Sequence, residues 1–124
     1  MRTALDVDRY LAMRFHRESY NCWDLLREAY LEATGLDVGD RTPHPATAFD
    51  IKSRFEEQES DFIRIPTPET PSIVLMRRGL TVPHVGLYWY RRVLHMRPSG
   101  PRYERLVDAA RGFSRVSFHQ CRTS

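Results

Sequence analysis

Cysteine is scarce: Cys22 and Cys121 are the only two, too few for a disulfide framework, so each is read on its own. No CxxC or HxxxH pairing occurs, and the familiar spacing of zinc ligands is absent with it. Nothing approaches the roughly 20 consecutive apolar residues of a membrane span. The stretch from Met1 to Met13 carries Asp6, Asp8 and Arg9 within its apolar run, which argues against a secretory signal peptide. Neither sign of charge dominates, since 19 basic residues against 16 acidic ones leave a formal net charge of +3. That excess is dispersed, concentrated only at Arg77-Arg78, Arg91-Arg92 and Arg97. Without a basic helix carrying interleaved aromatics, it reads as a solubility feature and not as a nucleic-acid footprint. Internal repeats and low-complexity tracts are also missing.

What remains is the composition of an ordinary globular protein, 41% hydrophobic and 28% charged, in a length of 124 residues that fits one domain, 1–124. Residues 1–58 read as helical and 62–121 mostly as strands, which predicts an α+β fold rather than alternating βαβ units. A first helix is expected from Asp6 or Asp8 to about Phe15. A second begins near Asn21-Cys22 and stops at Gly35 after Thr34, with Cys22, Leu25, Leu26, Ala29, Tyr30 and Ala33 forming one apolar stripe. Leu36 to Pro45 reads as a loop, Ala46 to Gln58 as a third helix, and Pro66, Pro68 and Pro71 as a stiff connection. Strands follow at Ile73–Met76, Val82–Trp89 and Arg92–Met96. Pro98 to Pro101 breaks the chain, Tyr103–Ala110 is expected to be a short helix, and Ser114–Cys121 a last strand with Val116 and Phe118 on one face.

One constellation carries chemistry. Cys22 falls in the first turn of a helix, where unpaired N–H groups and the positive end of the dipole favour a thiolate and can hold an oxyanion. A lone cysteine on an apolar stripe is more often a small core residue, but two histidines lie downstream. If the strands containing His84 and His95 form an antiparallel hairpin with these two residues opposed, the turn falls at Trp89-Tyr90 or across Tyr88 to Arg91. The imidazoles then share a sheet face next to the Cys22 helix. A base oriented by a further polar side chain is the arrangement that activates nucleophiles. A zinc site from Cys22, His84 and His95 is the less favoured alternative. His16 and His44 read as loop residues, His119 as a surface residue of the last strand, and Cys121 as structural. Tyr88-Trp89-Tyr90 reads as a half-buried strand end.

At these residues the chain resembles the NlpC-type, papain-like cysteine peptidases of bacterial cell walls and phage tails. Tyr20-Asn21-Cys22-Trp23-Asp24-Leu25-Leu26 is similar to the family's nucleophile helix, Asp-Cys-(Ser or Trp)-Gly-Leu-Val. Pro71 to Arg78 resembles its Gly-Asp-Val-Val-Leu-Phe strand, His84-Val85-Gly86-Leu87-Tyr88 its His-Val-Gly-Ile-Tyr strand, and Val93-Leu94-His95 its Phe-Ile-His strand. The likeness spans roughly Tyr10 to Met96. Lecithin:retinol acyltransferase-like proteins share an Asn-Cys dipeptide and His-Val strands, but there the histidines precede the cysteine.

The resemblance implies a papain-like fold, N-terminal helices packed on a small antiparallel sheet, with Cys22 as nucleophile, His84 as general base and His95 as orienting residue. It places an aromatic near the oxyanion, for which Tyr10 and Phe15 are the candidates. It implies no metal or organic cofactor, and a peptidoglycan stem peptide as substrate. It further implies other phage tail proteins as partners, no nucleic acid and no membrane insertion, and a location in a virion tail or in the bacterial cytoplasm before assembly. The departures are Asn21 for the usual Asp, Asp24 for the usual Gly, and Phe15-His16-Arg17-Glu18-Ser19 in place of a Gly-Gly segment. Asp24 is expected to raise the cysteine's pKa or reshape the groove. The second expectation is a structural tail-tip or tail-assembly protein that keeps the fold without the activity.

Overall fold

The computed structural model describes residues 5–15, 22–38, 62–79 and 83–121. The expected helix at 46–58, His16 and His44 lie outside these residues. The chain is α+β, as its pattern predicts: the described residues form short helices and one antiparallel sheet of six strands. The helices are α1 (Val7–Leu11), α2 (Cys22–Thr34) and α3 (Leu106–Ala109). The strands are β1 (Phe62–Ile65), β2 (Ser72–Arg77), β3 (His84–Trp89), β4 (Arg92–Arg97), β5 (Gly100–Arg105) and β6 (Arg115–Cys121). They lie in the order β1-β6-β2-β3-β4-β5.

Burial follows the sequence periods. Every residue from Ser72 to Met76 is buried, as expected of a central strand covered on both faces. In β3, Val85, Leu87 and Trp89 join Leu94 and Met96 of β4 beneath the apolar stripe of α2. The alternate residues, Tyr88 and Val93 among them, face a second, smaller cluster with Ala109, Phe113 and Phe118. The sheet is therefore a wall between two cores, because side chains alternate across a pleated strand.

The α2 boundaries match the sequence reading, with Gly35 at φ +81° ending the helix where only glycine enters the left-handed region without strain. Helix α1 is shorter than expected. Asp6 caps it by accepting from Arg9 N at 3.2 Å, but after Leu11 the Met13 amide turns back to the Tyr10 carbonyl, a tighter bond that closes the helix well before Phe15. Arg9 then clamps α1 to α2 through Glu28 at 3.3 Å and Glu32 at 2.6 Å.

Two expectations are corrected, and one strand is added to the reading. Residues 103–105 are strand, not helix, because Gly100–Arg105 pairs with β4 and Tyr103 donates its hydroxyl to the Trp89 carbonyl at 2.6 Å. Only Leu106–Ala109 is helical there. The strand β1 lies within the stretch read only as broadly β, and it pairs with β6 from Phe62–Cys121 to Ile65–Phe118. The second correction is register. Trp89 pairs with Arg92 across a two-residue turn, Tyr90-Arg91, so that Gly86 and not His84 stands opposite His95. Both turn residues have positive φ, +48° and +71°, the geometry whose twist suits a tight hairpin. It forms here without glycine or asparagine, and the Tyr90 amide is held by Thr70 Oγ1 at 2.9 Å.

Candidate active site

The β3–β4 ladder ends at the pair Gly86–His95. Beyond it β4 continues to pair with β5 alone, through Met96 and Arg97, so β3 and β4 part at Val85 and His84. The expected catalytic residues gather around this splayed end.

His84 and His95 share one sheet face, as diagonal neighbours instead of a directly opposed pair. Diagonal Cβ atoms stand roughly 7–8 Å apart, within reach of two imidazoles. The rings meet edge-on, with His84 Nε2 and His95 Nδ1 at 2.7 Å. Gly86 makes this possible. A Cβ on it would lie 2.7 Å from Val93 Cγ1 and 3.0 Å from His95 Cβ, so any side chain would push β4 away at Val93 and His95. On its outer side His84 stacks against Phe113, with ring centroids 5.8 Å apart and planes within 7°.

The line of contacts continues to a residue that sequence reading missed. His95 Nε2 lies 2.6 Å from Glu104 Oε2, and Arg97 holds the same oxygen at 3.0 Å. His84, His95 and Glu104 thus run diagonally across β3, β4 and β5. The signal for Glu104 was present in the turn residues Pro98-Ser99-Gly100 and the alternation after them; reading a helix from Tyr103 concealed it. Each ring nitrogen of His95 faces a different neighbour, so these residues form a file and do not converge on a shared point. Among the described residues, no group of three or more His, Cys, Asp and Glu side chains is arranged to hold a metal ion.

Cys22 sits in the first turn of α2, on the other face of the sheet from the two imidazoles, packed against the larger core. The expectation that the histidine face adjoins the helix is therefore corrected: thiol and imidazoles approach the splayed end from opposite sides. The backbone N–H of Val85, the residue next to His84, is directed at the Cys22 sulfur. Among the described residues no hydrogen bond joins Cys22 to His84. The structure therefore brings together the second and third expected members, and sets the first against the neighbouring backbone.

Burial decides the electrostatics. It pushes the Cys22 thiol up to about 11, against the opposing pull of the Val85, Trp23 and Cys22 N–H groups, while Asp24 raises it further. The helix terminus does not win, and the expected lowering of the thiol's pKa is overturned, because loss of water around the sulfur outweighs the partial charges that favour a thiolate. His84 is pushed down to about 3, first by burial and then by His95 and Arg97. His95, only 1% exposed, is also lowered by burial, although Glu104 opposes this. The contact of His95 with Glu104 is thus a hydrogen bond from a neutral ring to a carboxylate. At neutral pH the site holds an uncharged thiol and two uncharged imidazoles.

The weaker candidates fall elsewhere. Tyr10 is fully buried, and its hydroxyl accepts from Arg9 at 2.7 Å. The same guanidinium grips Glu28 and Glu32, which places that hydroxyl towards the C-terminal end of α2, away from Cys22. Phe15 is a partly buried residue packed on the main core and has no donor to offer an oxyanion. Asp24 stands two residues past Cys22 in the first turn. His119, expected at the surface, is half-buried, with Ser117 Oγ 2.9 Å from its Nε2. No helix among the described residues is long and apolar enough to cross a membrane. The chain matches no protein-family model, and no curated protein matches it at a significant level.

Proposed function

We propose that this chain is a cysteine peptidase of the NlpC type, with a papain-like fold, that cleaves stem peptides of peptidoglycan in the service of a phage or prophage tail. The observation that carries this reading is the half-buried His84–His95 hydrogen bond at the strand end which the Cys22 thiol touches through Val85. Two imidazoles held out of water in a fixed file, beside the start of the cysteine's helix, are the arrangement a base and its orienting residue require. In the reaction, the Cys22 sulfur attacks the amide carbon while its proton passes to Nδ1 of His84. That proton then protonates the leaving amine as the C–N bond breaks, giving a thioester. Water, giving its proton to His84, hydrolyses the thioester and restores the thiol. Because thiol and imidazole both rest uncharged, proton transfer accompanies attack instead of preceding it. N–H groups in the first turn of α2 hold the oxyanion.

A second reading is favoured by a specific observation: the thiol of the half-buried Cys22 is raised to about 11 and bonded to backbone, with no hydrogen bond to His84. This is the state of a tail-tip component that keeps the fold without turnover. Purified peptidoglycan and soluble muropeptides, incubated with wild type and with Cys22→Ala, separate the two. Release of new amino groups by wild type alone supports the peptidase. Release that survives the substitution overturns Cys22 as nucleophile, and no release by either, with Cys22→Ala assembling normally into tails, supports the structural component.

A further inference from the structure

The file of side chains does not end at the orienting histidine. We propose that Glu104 is a positioning residue that sets the tautomers of both histidines and leaves Nδ1 of His84 as a bare lone pair. The inference rests on the reading of His84 as the base and extends it to a third strand.

The argument is one of donors and acceptors. An ionised carboxylate only accepts. Glu104 Oε2, 2.6 Å from His95 Nε2, therefore requires the proton of neutral His95 to sit on Nε2. His95 Nδ1 is then an acceptor, and at 2.7 Å from His84 Nε2 it requires the His84 proton to sit on Nε2 as well. One carboxylate thus dictates the state of a ring two strands away. His84 Nδ1 is left without a proton, and it is the atom that the peptidase reading assigns as base. Arg97, 3.0 Å from the same oxygen, keeps that oxygen aimed.

The file also accounts for the charge that forms during attack. When His84 Nδ1 takes a proton, its Nε2 proton can shift to His95 Nδ1. The positive charge then lies on His95 against the Glu104 carboxylate, with every proton conserved. A file ending at His95 would leave an imidazolium against a neutral ring in a buried site, where an unbalanced charge is costly. Gly86 lets the strand of His95 come this close, since a Cβ there would sit 3.0 Å from that of His95.

Long-range proton–nitrogen correlation spectra of 15N-labelled protein report imidazole tautomers directly, with assignments from His84→Gln and His95→Gln. At pH 7 the wild type is expected to carry Nε2–H on both rings. Glu104→Gln is expected to give mixed tautomers at His95 and, through it, at His84, because an amide can present either its oxygen or its nitrogen. Arg97→Gln, which keeps the carboxylate, is expected to keep both tautomers. Cleavage by Glu104→Gln is expected to fall in kcat by roughly 10²-fold with KM unchanged. An Nδ1–H tautomer at His84 in the wild type overturns the proposal, as do unchanged tautomers in Glu104→Gln. Should Glu104→Gln fail to fold, the wild-type spectrum still decides. The spectra read no cleavage, so an inactive protein with the expected tautomers refutes the peptidase and leaves Glu104 in its role. An active one with Nδ1–H at His84 does the reverse.

Discussion

The sheet holds two histidine sites, and they differ in what stands behind the ring. On one face, His84 leans on His95, and His95 on the carboxylate of Glu104. On β6, His119 meets the hydroxyl of Ser117 at 2.9 Å, and the charges acting on it are those of Arg64 and Arg77. Burial pushes both sites below the usual imidazole range, His84 to about 3 and His119 to about 4. Low pKa alone therefore does not distinguish a site built for proton transfer. A hydroxyl donates or accepts as needed and by itself imposes no tautomer, whereas a carboxylate does.

Acid breaks both sites, with the largest expected effect. Each ring binds its proton more weakly folded than unfolded, so the stabilisation is complete above the ordinary value of 6.5 and is lost as pH falls below it. The His119 part is exhausted near pH 4 and the His84 part near pH 3. Thermal melts over this range are expected to show a loss of several kcal/mol, of which His119→Gln removes only the portion ending near pH 4. A melting temperature flat between pH 6.5 and 4 would refute this.

Replacing the middle of the file comes next. His95→Leu deprives Glu104 and His84 of their partner in a buried place, at an expected cost of about 2–3 kcal/mol in urea unfolding. His119→Leu, at a half-buried pair, is expected to cost about 1 kcal/mol; equal costs would erase the contrast. Gly86→Ala is expected to destabilise by about 1–2 kcal/mol and to shift the His84 and His95 resonances while sparing those of His119. The smallest effect is a gain. Changing Tyr90 and Arg91 to Asn and Gly relieves two positive-φ side chains and is expected to add about 1 kcal/mol, with the pH slope and all tautomers unchanged.

The sequence made the helix of Cys22 and the central strands legible because each has a strong period: a three- and four-residue stripe, or a run buried on both faces. The pairing of the two histidines on one face was legible for the same reason. Their register was not, since it depends on a turn whose residues lack the usual preference for positive φ. Glu104 was hidden because local propensity around Tyr103 favoured a helix, and only pairing with β4 and the Tyr103–Trp89 bond make a strand of it. The fate of the thiol was equally out of reach. Position in a helix is written in the sequence, but depth below the surface is a property of the packed whole.

That depth bears on how the protein endures air and storage. With its thiol pushed up to about 11, Cys22 is almost wholly in the unreactive thiol form at pH 7, and peroxides attack the thiolate. The sulfur is thus shielded from the oxidation that inactivates exposed, acidic cysteines.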